Sequence, residues 1–133
     1  MDLAKFLEAR IADDEAAAKA VIAAEGENYE ATWFEQSSGV LYVGPGSIEH
    51  PLDGLYPMGD SRLTRFIAEH DPARVLREVE AKRKILAAYT TTYRSEPYGL
   101  PTNNAALAAL LDALKALAAI YSDHKDFDPA WKE

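Results

Sequence analysis

The chain contains no cysteine, and it has no long uninterrupted apolar run. Without cysteine, a disulfide scaffold, a thiolate zinc site and a cysteine nucleophile are all excluded. The longest apolar-rich stretch, 105–121, is interrupted by Asp112 and Lys115 and is too short to predict a membrane span. The first residues are charged from Asp2 onward, with no apolar signal region after them, so we expect a cytoplasmic protein that does not bind membranes.

Lysine and arginine are absent from residues 20–61, which we call the acidic segment. Its seven acidic residues are Glu25, Glu27, Glu30, Glu35, Glu49, Asp53 and Asp60, and the rest of the chain has 15 acidic against 14 basic residues. The net charge of −8 is therefore concentrated in one place. Such a charge argues against direct binding of nucleic acid or of an anionic membrane, which requires cationic patches.

Outside the acidic segment, the apolar spacing predicts three long helices and one short one. They cover approximately 2–25, 60–69, 72–93 and 103–121. Asp71 followed by Pro72 is typical of a helix start, where the aspartate caps free N–H groups and proline loses no hydrogen bond. With 133 residues, the fold class is a mainly α protein: a small helical bundle forming a single domain, 1–133.

The apolar pattern also predicts which side chains face the core. On the short helix these are Leu63, Phe66 and Ile67. On the following helix one face carries the apolar residues Val75, Val79, Leu86, Tyr89 and Tyr93. The helix over 103–121 is apolar over a wide surface, which favours a central core position and leaves a homodimer as the alternative. Tyr121, Phe127 and Trp131 are expected to fold the C-terminal tail back onto the bundle.

Within residues 27–60 the pattern predicts an inserted β-hairpin followed by an irregular acidic loop. Two β-prone runs, 32–36 and 40–44, flank the short turn 37–39, which contains a glycine. The mixture of aromatic and acidic residues there is typical of an interface. The candidate protein-binding residues are Glu30, Trp33, Phe34, Glu35, Leu41 and Tyr42. A hairpin face that merely covers the bundle is an equally good interpretation.

Two histidine clusters offer an alternative function, a metal-binding protein or a metal-dependent enzyme. One is 123–128, with His124 among three aspartates, and the other is 69–74, with His70 between Glu69 and Asp71. For both, a structural interpretation is favoured, because Asp71 already caps a helix and 123–128 does not fit a calcium-loop pattern. The sequence predicts no catalytic residue, no metal site and no cofactor.

A non-enzymatic protein that binds another protein, of unknown identity, through the acidic hairpin is therefore the favoured function. A second alternative is an acidic mimic of nucleic acid, although the seven acidic residues are sparse and interrupted by prolines.

Three stretches carry a resemblance. His70 to Arg83 reads H-D-P-A-R-V-L-R-E-V-E-A-K-R, the tail from Tyr121 to Trp131 reads Y-S-D-H-K-D-F-D-P-A-W, and the first helix begins L-x-x-F-L-x-x-R-I-A from Leu3. They resemble the motifs of a family of small proteins from actinobacteria and their phages that is catalogued as a domain of unknown function. The resemblance implies a phage-encoded protein and supplies no activity.

The chain departs from that family in one respect. Members often carry Cys and His between the central helix and the tail, which implies a metal. This chain has no Cys and instead has the apolar helix 103–121 in that interval, so a metal site is not carried over. Residues 27–60 lie outside the resembling stretches.

Overall fold

A computed structural model describes residues 2–24, 33–36, 40–43, 61–95 and 105–132 of the chain. At residues 24, 33–36, 40–43, 61, 63 and 64 it describes the backbone only. The elements are α1 (Leu3–Ala24), β1 (Trp33–Gln36), β2 (Val40–Val43), α2 (Ser61–Glu69), α3 (Pro72–Ser95), α4 (Ala105–Ala119) and a 3₁₀ helix (Pro129–Lys132). The prediction of a mainly helical protein with three long helices and one short one is confirmed.

Helix α1 begins at a capping aspartate, as predicted. The Asp2 Oδ1 atom accepts a hydrogen bond of 2.9 Å from the backbone N–H of Ala4, which satisfies one of the free donors of the first turn. The buried face of the helix consists of Leu3, Phe6, Leu7, Ile11 and Ala18. This face follows the helical period in the sequence, and its bulk lies in the first three turns.

The corner between α2 and α3 is built as the sequence predicts. The backbone N–H of His70 donates to the carbonyl oxygen of Ile67 at 3.0 Å, which closes the end of α2. The Asp71 Oδ1 atom accepts from the backbone N–H of Arg74 at 2.7 Å. Because Asp71 is only 6% exposed, this cap also satisfies a carboxylate that is largely removed from water.

Phe66 does not face the core as predicted, and Tyr93, on the predicted apolar face of α3, is also exposed. Phe66 is 60% exposed and stacks on His70, with ring centroids 4.2 Å apart. Tyr93 is 43% exposed and stacks on Tyr89 at 6.0 Å. Periodicity identifies the apolar stripe of a helix, but neighbouring elements decide how much of that stripe is covered. Leu63 lies at a position whose side chain is not described.

The chain divides into two compact units. The terminal unit comprises Met1–Asp13 and Val79–Glu133, and the central unit comprises Asp14–Glu78. Helices α1 and α3 each contribute one part to each unit. In the terminal unit, α4 buries Leu107, Leu114 and Ala118, which recur at helical spacing along one face, and it packs against the 3₁₀ helix. No helix among the described residues combines the length and apolar character that a membrane crossing requires.

In the central unit, β1 and β2 are antiparallel, with Trp33 opposite Val43 and Gln36 opposite Val40. Helix α2 packs against both strands. The turn 37–39 and the loop 44–60 lie outside the described residues, so the inserted hairpin with its acidic loop stays a prediction as a complete unit.

Candidate functional site

The residues predicted to bind a protein lie at the edge of what the structure describes. Glu30 is outside the described residues, and the other five have a described backbone only. The strand register places Phe34 opposite Tyr42, and Glu35 opposite Leu41. Because residues alternate between the two faces of a strand, these two pairs occupy opposite faces. The backbone therefore brings two of the predicted aromatic residues, Phe34 and Tyr42, together as a pair, while the exposure of their side chains stays a prediction.

The described side chains of the tail gather around Phe6, which is fully buried. The Phe6 ring contacts four other rings: Tyr121 at 6.4 Å, His124 at 5.8 Å, Phe127 at 6.0 Å and Trp131 at 4.9 Å between centroids. We call this group, together with Arg10, the tail cluster. The first three contacts are edge-to-face, an arrangement that aromatic rings prefer over a direct face-to-face stack. The predicted return of the tail onto the bundle is confirmed.

A polar contact inside the tail cluster joins two residues 114 positions apart. The Arg10 Nη1 atom lies 2.8 Å from Nδ1 of His124 and also contacts Nε2 of the same ring. The Nη2 atom of Arg10 forms an ion pair of 2.8 Å with Asp13. The Arg10 side chain is only 15% exposed, and its buried Nε has no hydrogen-bond partner in the part of the chain that the structure describes.

The hydrogen bonds around His124 define its chemical role. The Nδ1 atom faces two donors, Arg10 Nη1 and the backbone N–H of Asp126 at 3.2 Å. A guanidinium can only donate, so the ring nitrogen that pairs with Arg10 accepts through a free lone pair. Because Arg10 belongs to α1 and His124 to the tail, this contact holds the tail against α1.

The carboxylates near His124 do not converge on it. The Asp126 Oδ2 atom lies 3.9 Å from Nδ1, whereas Asp123 and Asp128 are exposed. A hydrogen bond from Lys125 to Asp126, with the positive charges nearby, holds the pKa of the Asp126 carboxyl below its usual 3.8. Among the described residues no group of three or more His, Asp or Glu side chains could hold a metal ion.

The second histidine cluster is also occupied by structural contacts. The Nδ1 atom of His70 lies 2.7 Å from the carbonyl oxygen of Phe66, so Nδ1 carries the proton and donates. The guanidinium of Arg74 pairs with Glu78 at 2.8 Å and donates to the carbonyl oxygen of Glu69 at 3.0 Å. His70 therefore contacts its own helix, and its described contacts include no carboxylate that would orient it as a base.

Helix α3 contributes a cation to the tail. The Lys82 Nζ atom donates to the hydroxyl oxygen of Tyr121 at 2.8 Å and lies 5.1 Å from the centre of the same ring. The charged residue that interrupts the apolar stripe of α3 therefore binds the residue at which the tail begins.

Residues from the three resembling stretches thus come together, because α1 and the tail form the tail cluster and Lys82 of α3 contacts Tyr121 within it. The sequence model of a family of unknown function, DUF6221, matches residues 1–133. The chain belongs to this family. No curated protein and no solved structure matches the chain. The DUF6221 match covers the acidic segment as well, and so extends beyond the stretches in which the sequence shows a resemblance.

The terminal unit of this DUF6221 protein also contains an open groove between α1 and α3, with a volume of about 690 Å³. The lining residues are Ala4, Lys5, Glu8, Ile11 and Ala12 from α1, and Arg83, Leu86, Ala87, Thr90, Thr91 and Arg94 from α3. A groove of this size is within the range of small-molecule sites.

Sequence reasoning missed both the Arg10–His124 contact and the groove. Arg10 follows Phe6 by four residues on the apolar stripe of α1, a position where a charged residue needs a partner. Arg83, Ala87, Thr90 and Arg94 are spaced by three or four residues, which places them on one face of α3. The sequence therefore contains both patterns. Neither pattern shows that Arg10 pairs with the tail or that this face of α3 lies opposite α1.

Proposed function

We propose that this protein is a non-enzymatic interaction protein that binds another protein through its central unit. The single observation that carries the proposal is the exposure of Phe66, 60%, on the helix that packs against β1 and β2. A large aromatic side chain left exposed beside strands that carry Trp33, Phe34 and Tyr42 is the kind of anchor that protein interfaces use.

The charge of the acidic segment supports the proposal and indicates the chemistry of the partner. Seven carboxylates without a single cation create a negative field that attracts a basic surface and accelerates its association. We infer a partner whose surface combines basic residues with an apolar pocket. From the resemblance to proteins of actinobacterial phages, we propose that the partner is a protein of the host cytoplasm.

The described histidines favour binding over catalysis. His70 is hydrogen-bonded to a backbone carbonyl group, and His124 is held by Arg10. A hydrolytic site needs a nucleophile, a base and a group that orients the base. Within the described residues, the contacts of these two side chains stabilise local structure.

The experiment compares Phe66→Ser with the matched control Tyr93→Ser, another exposed aromatic residue, in cross-linking of tagged protein to a host lysate. We expect one protein to be enriched by the unaltered chain and by Tyr93→Ser, and to be lost with Phe66→Ser. A variant with Glu25, Glu27, Glu30 and Glu35 changed to Gln should bind that protein more slowly, with a smaller dependence on salt.

The proposal fails if neither Phe66→Ser nor a deletion of residues 30–58 changes the recovery of any partner relative to the unaltered protein. Circular dichroism of each variant establishes that the helices are intact. A captured partner that duplex DNA displaces in competition would instead support the nucleic-acid mimic.

A further inference from the structure

The groove between α1 and α3 lies wholly in the terminal unit and is separate from the proposed protein-binding surface. Its lining has two chemically distinct parts. Ile11, which is 1% exposed, Leu86 and the methyl groups of the alanines form an apolar floor. Small residues at Ala4, Ala12 and Ala87 leave the space that larger side chains would fill.

The charged side chains around this floor are mainly cationic. Lys5, Arg83 and Arg94 line the groove, and Glu8 is the single carboxylate among the lining residues. Neither Lys5 nor Arg94 makes a hydrogen bond or an ion pair within the part of the chain that the structure describes. In a chain with a net charge of −8, three cations around one cavity form a local positive field against the overall charge.

Two hydroxyl groups complete the lining. The Thr90 Oγ1 atom donates to the carbonyl oxygen of Leu86 at 3.0 Å, so its hydrogen is used within the helix. Thr91 is exposed and adjacent to Thr90, one turn before Arg94. A hydroxyl and a guanidinium at this spacing lie on the same helical face and can both donate to one anionic oxygen group.

We propose that this groove binds a small amphipathic anion, a molecule with a carboxylate or phosphate head and an apolar body. The head pairs with the cations of the rim, and the body covers Ile11, Leu86 and Ala87. An apolar floor with a few polar groups at its edge is the usual construction of a ligand site. Arginine suits the head group because its planar donors match carboxylate and phosphate oxygens.

The test uses four probes with the full-length protein: octanoate, octyl phosphate, octanol and inorganic phosphate. Binding is followed through the amide chemical shifts of α1 and α3 in nuclear magnetic resonance spectra. Both amphipathic anions should shift amides near Ala12, Ala87 and Thr91, and one of them should bind more tightly, which identifies the head group. Octanol and inorganic phosphate each supply half of the interaction and should bind at least about tenfold more weakly.

Substitutions of the charged lining residues should change the affinity for the anion in opposite directions. Lys5→Gln and Arg94→Gln should each weaken binding of the preferred anion by about threefold to tenfold, whereas Glu8→Gln should strengthen it by about twofold. Lys132→Gln is the matched control, a cation of the same unit that does not line the groove. Ala87→Trp, at an exposed position, should fill the groove and abolish binding while the unfolding temperature stays close to that of the unaltered protein.

Three outcomes would overturn the proposal: no saturable shift with either anion, equal binding of octanol, or equal effects of Lys5→Gln and Lys132→Gln. Equal binding of octanol would mean that the groove takes any apolar molecule. If Ala87→Trp unfolds the protein, the opposite signs of Glu8→Gln and Lys5→Gln still decide. The result is independent of the Phe66 experiment, because the two surfaces share no residue.

Discussion

Asp71 lies in the turn between α2 and α3, and its carboxylate caps the first turn of α3. It is almost fully buried and accepts a short hydrogen bond from the Arg74 backbone. Loss of a helix cap costs about 0.5–2 kcal/mol, and here the loss also removes the polar partner of a donor at the helix start. The residue therefore stabilises both the corner and the first turn of α3.

We predict that Asp71→Ala lowers the free energy of unfolding by about 1–2 kcal/mol in urea titrations. Asp71→Asn keeps an oxygen at the same place and should lose much less. Asp112→Ala, in an exposed position on α4, is a control for the loss of a negative charge. Equal destabilisation by Ala and Asn at position 71 would contradict the capping role.

The titration of the Asp126 carboxyl makes the stability of the folded tail depend on pH. The hydrogen bond from Lys125, then the positive charges of Lys125, His124 and Arg10, lower the pKa of this carboxyl, while partial desolvation opposes them. A carboxyl whose pKa is lower in the folded state stabilises the fold above its unfolded pKa, near 3.8. That stabilisation disappears as the pH falls through the lower, folded pKa.

We therefore expect the Asp126 carboxyl to titrate with a midpoint below 3.8 when followed by carbon-detected nuclear magnetic resonance. Lys125→Gln removes the main cause and should move the midpoint back toward 3.8. Asp126→Asn should reduce the loss of stability on acidification below the usual carboxyl range. A midpoint at or above 3.8 in the unaltered protein would show that desolvation outweighs the cations.

Among the elements, α1 organises the terminal unit, because the tail packs on its Phe6 ring. Edge-to-face contacts add about 0.5–1.5 kcal/mol each to the area that the rings bury. The Arg10–His124 contact lies beside this ring, so aromatic packing and a hydrogen bond hold the same stretch of the tail. The 3₁₀ helix has no buried residue of its own and depends on these contacts and on α4.

Phe6→Ala is predicted to destabilise the terminal unit by about 3–5 kcal/mol, since it leaves a cavity among four rings. The backbone amides of residues 121–132 should be the first to lose protection from hydrogen exchange, and Phe6→Leu should retain part of this protection. Tyr93→Ala, at an exposed stacked ring, is the control and should change exchange in the tail very little. Unchanged exchange in the tail of Phe6→Ala would mean that other contacts hold it.

At the scale of the whole molecule, the charge distribution has an energetic consequence. The ion pair Lys84–Glu80 is exposed, and Lys19–Glu15 joins an exposed lysine to a half-buried carboxylate, so both pairs contribute little to stability. Salt weakens them slightly, but it also screens the mutual repulsion of the seven carboxylates in the acidic segment. Because the net charge is −8, the screening of repulsion should dominate.

We predict that the unfolding temperature rises by a few degrees between about 10 mM and 150 mM sodium chloride. The variant with Glu25, Glu27, Glu30 and Glu35 changed to Gln should show a smaller rise. If the unaltered protein is instead destabilised by salt, the attractive ion pairs dominate. Light scattering across concentration in the same samples tests the homodimer that the apolar helix α4 suggests.

Local chemistry was sufficient to predict the helices and their caps. Asp2 and Asp71 cap their helices as predicted, because a capping side chain and its free N–H groups are adjacent in sequence. The buried stripe of α1 likewise follows from spacing alone. The return of the tail was predictable because Tyr121, Phe127 and Trp131 are too apolar together to remain in water.

Only the tertiary structure decided which long-range pairs these helices form. From the sequence, His124 could be a metal ligand or a structural residue, and only the structure shows its contact with Arg10, 114 residues away. Phe66 and Tyr93 belong to apolar stripes, yet both remain exposed because a stripe predicts a face without predicting what covers it. The groove required two helices to leave a space between them, and a one-dimensional pattern contains no such distance.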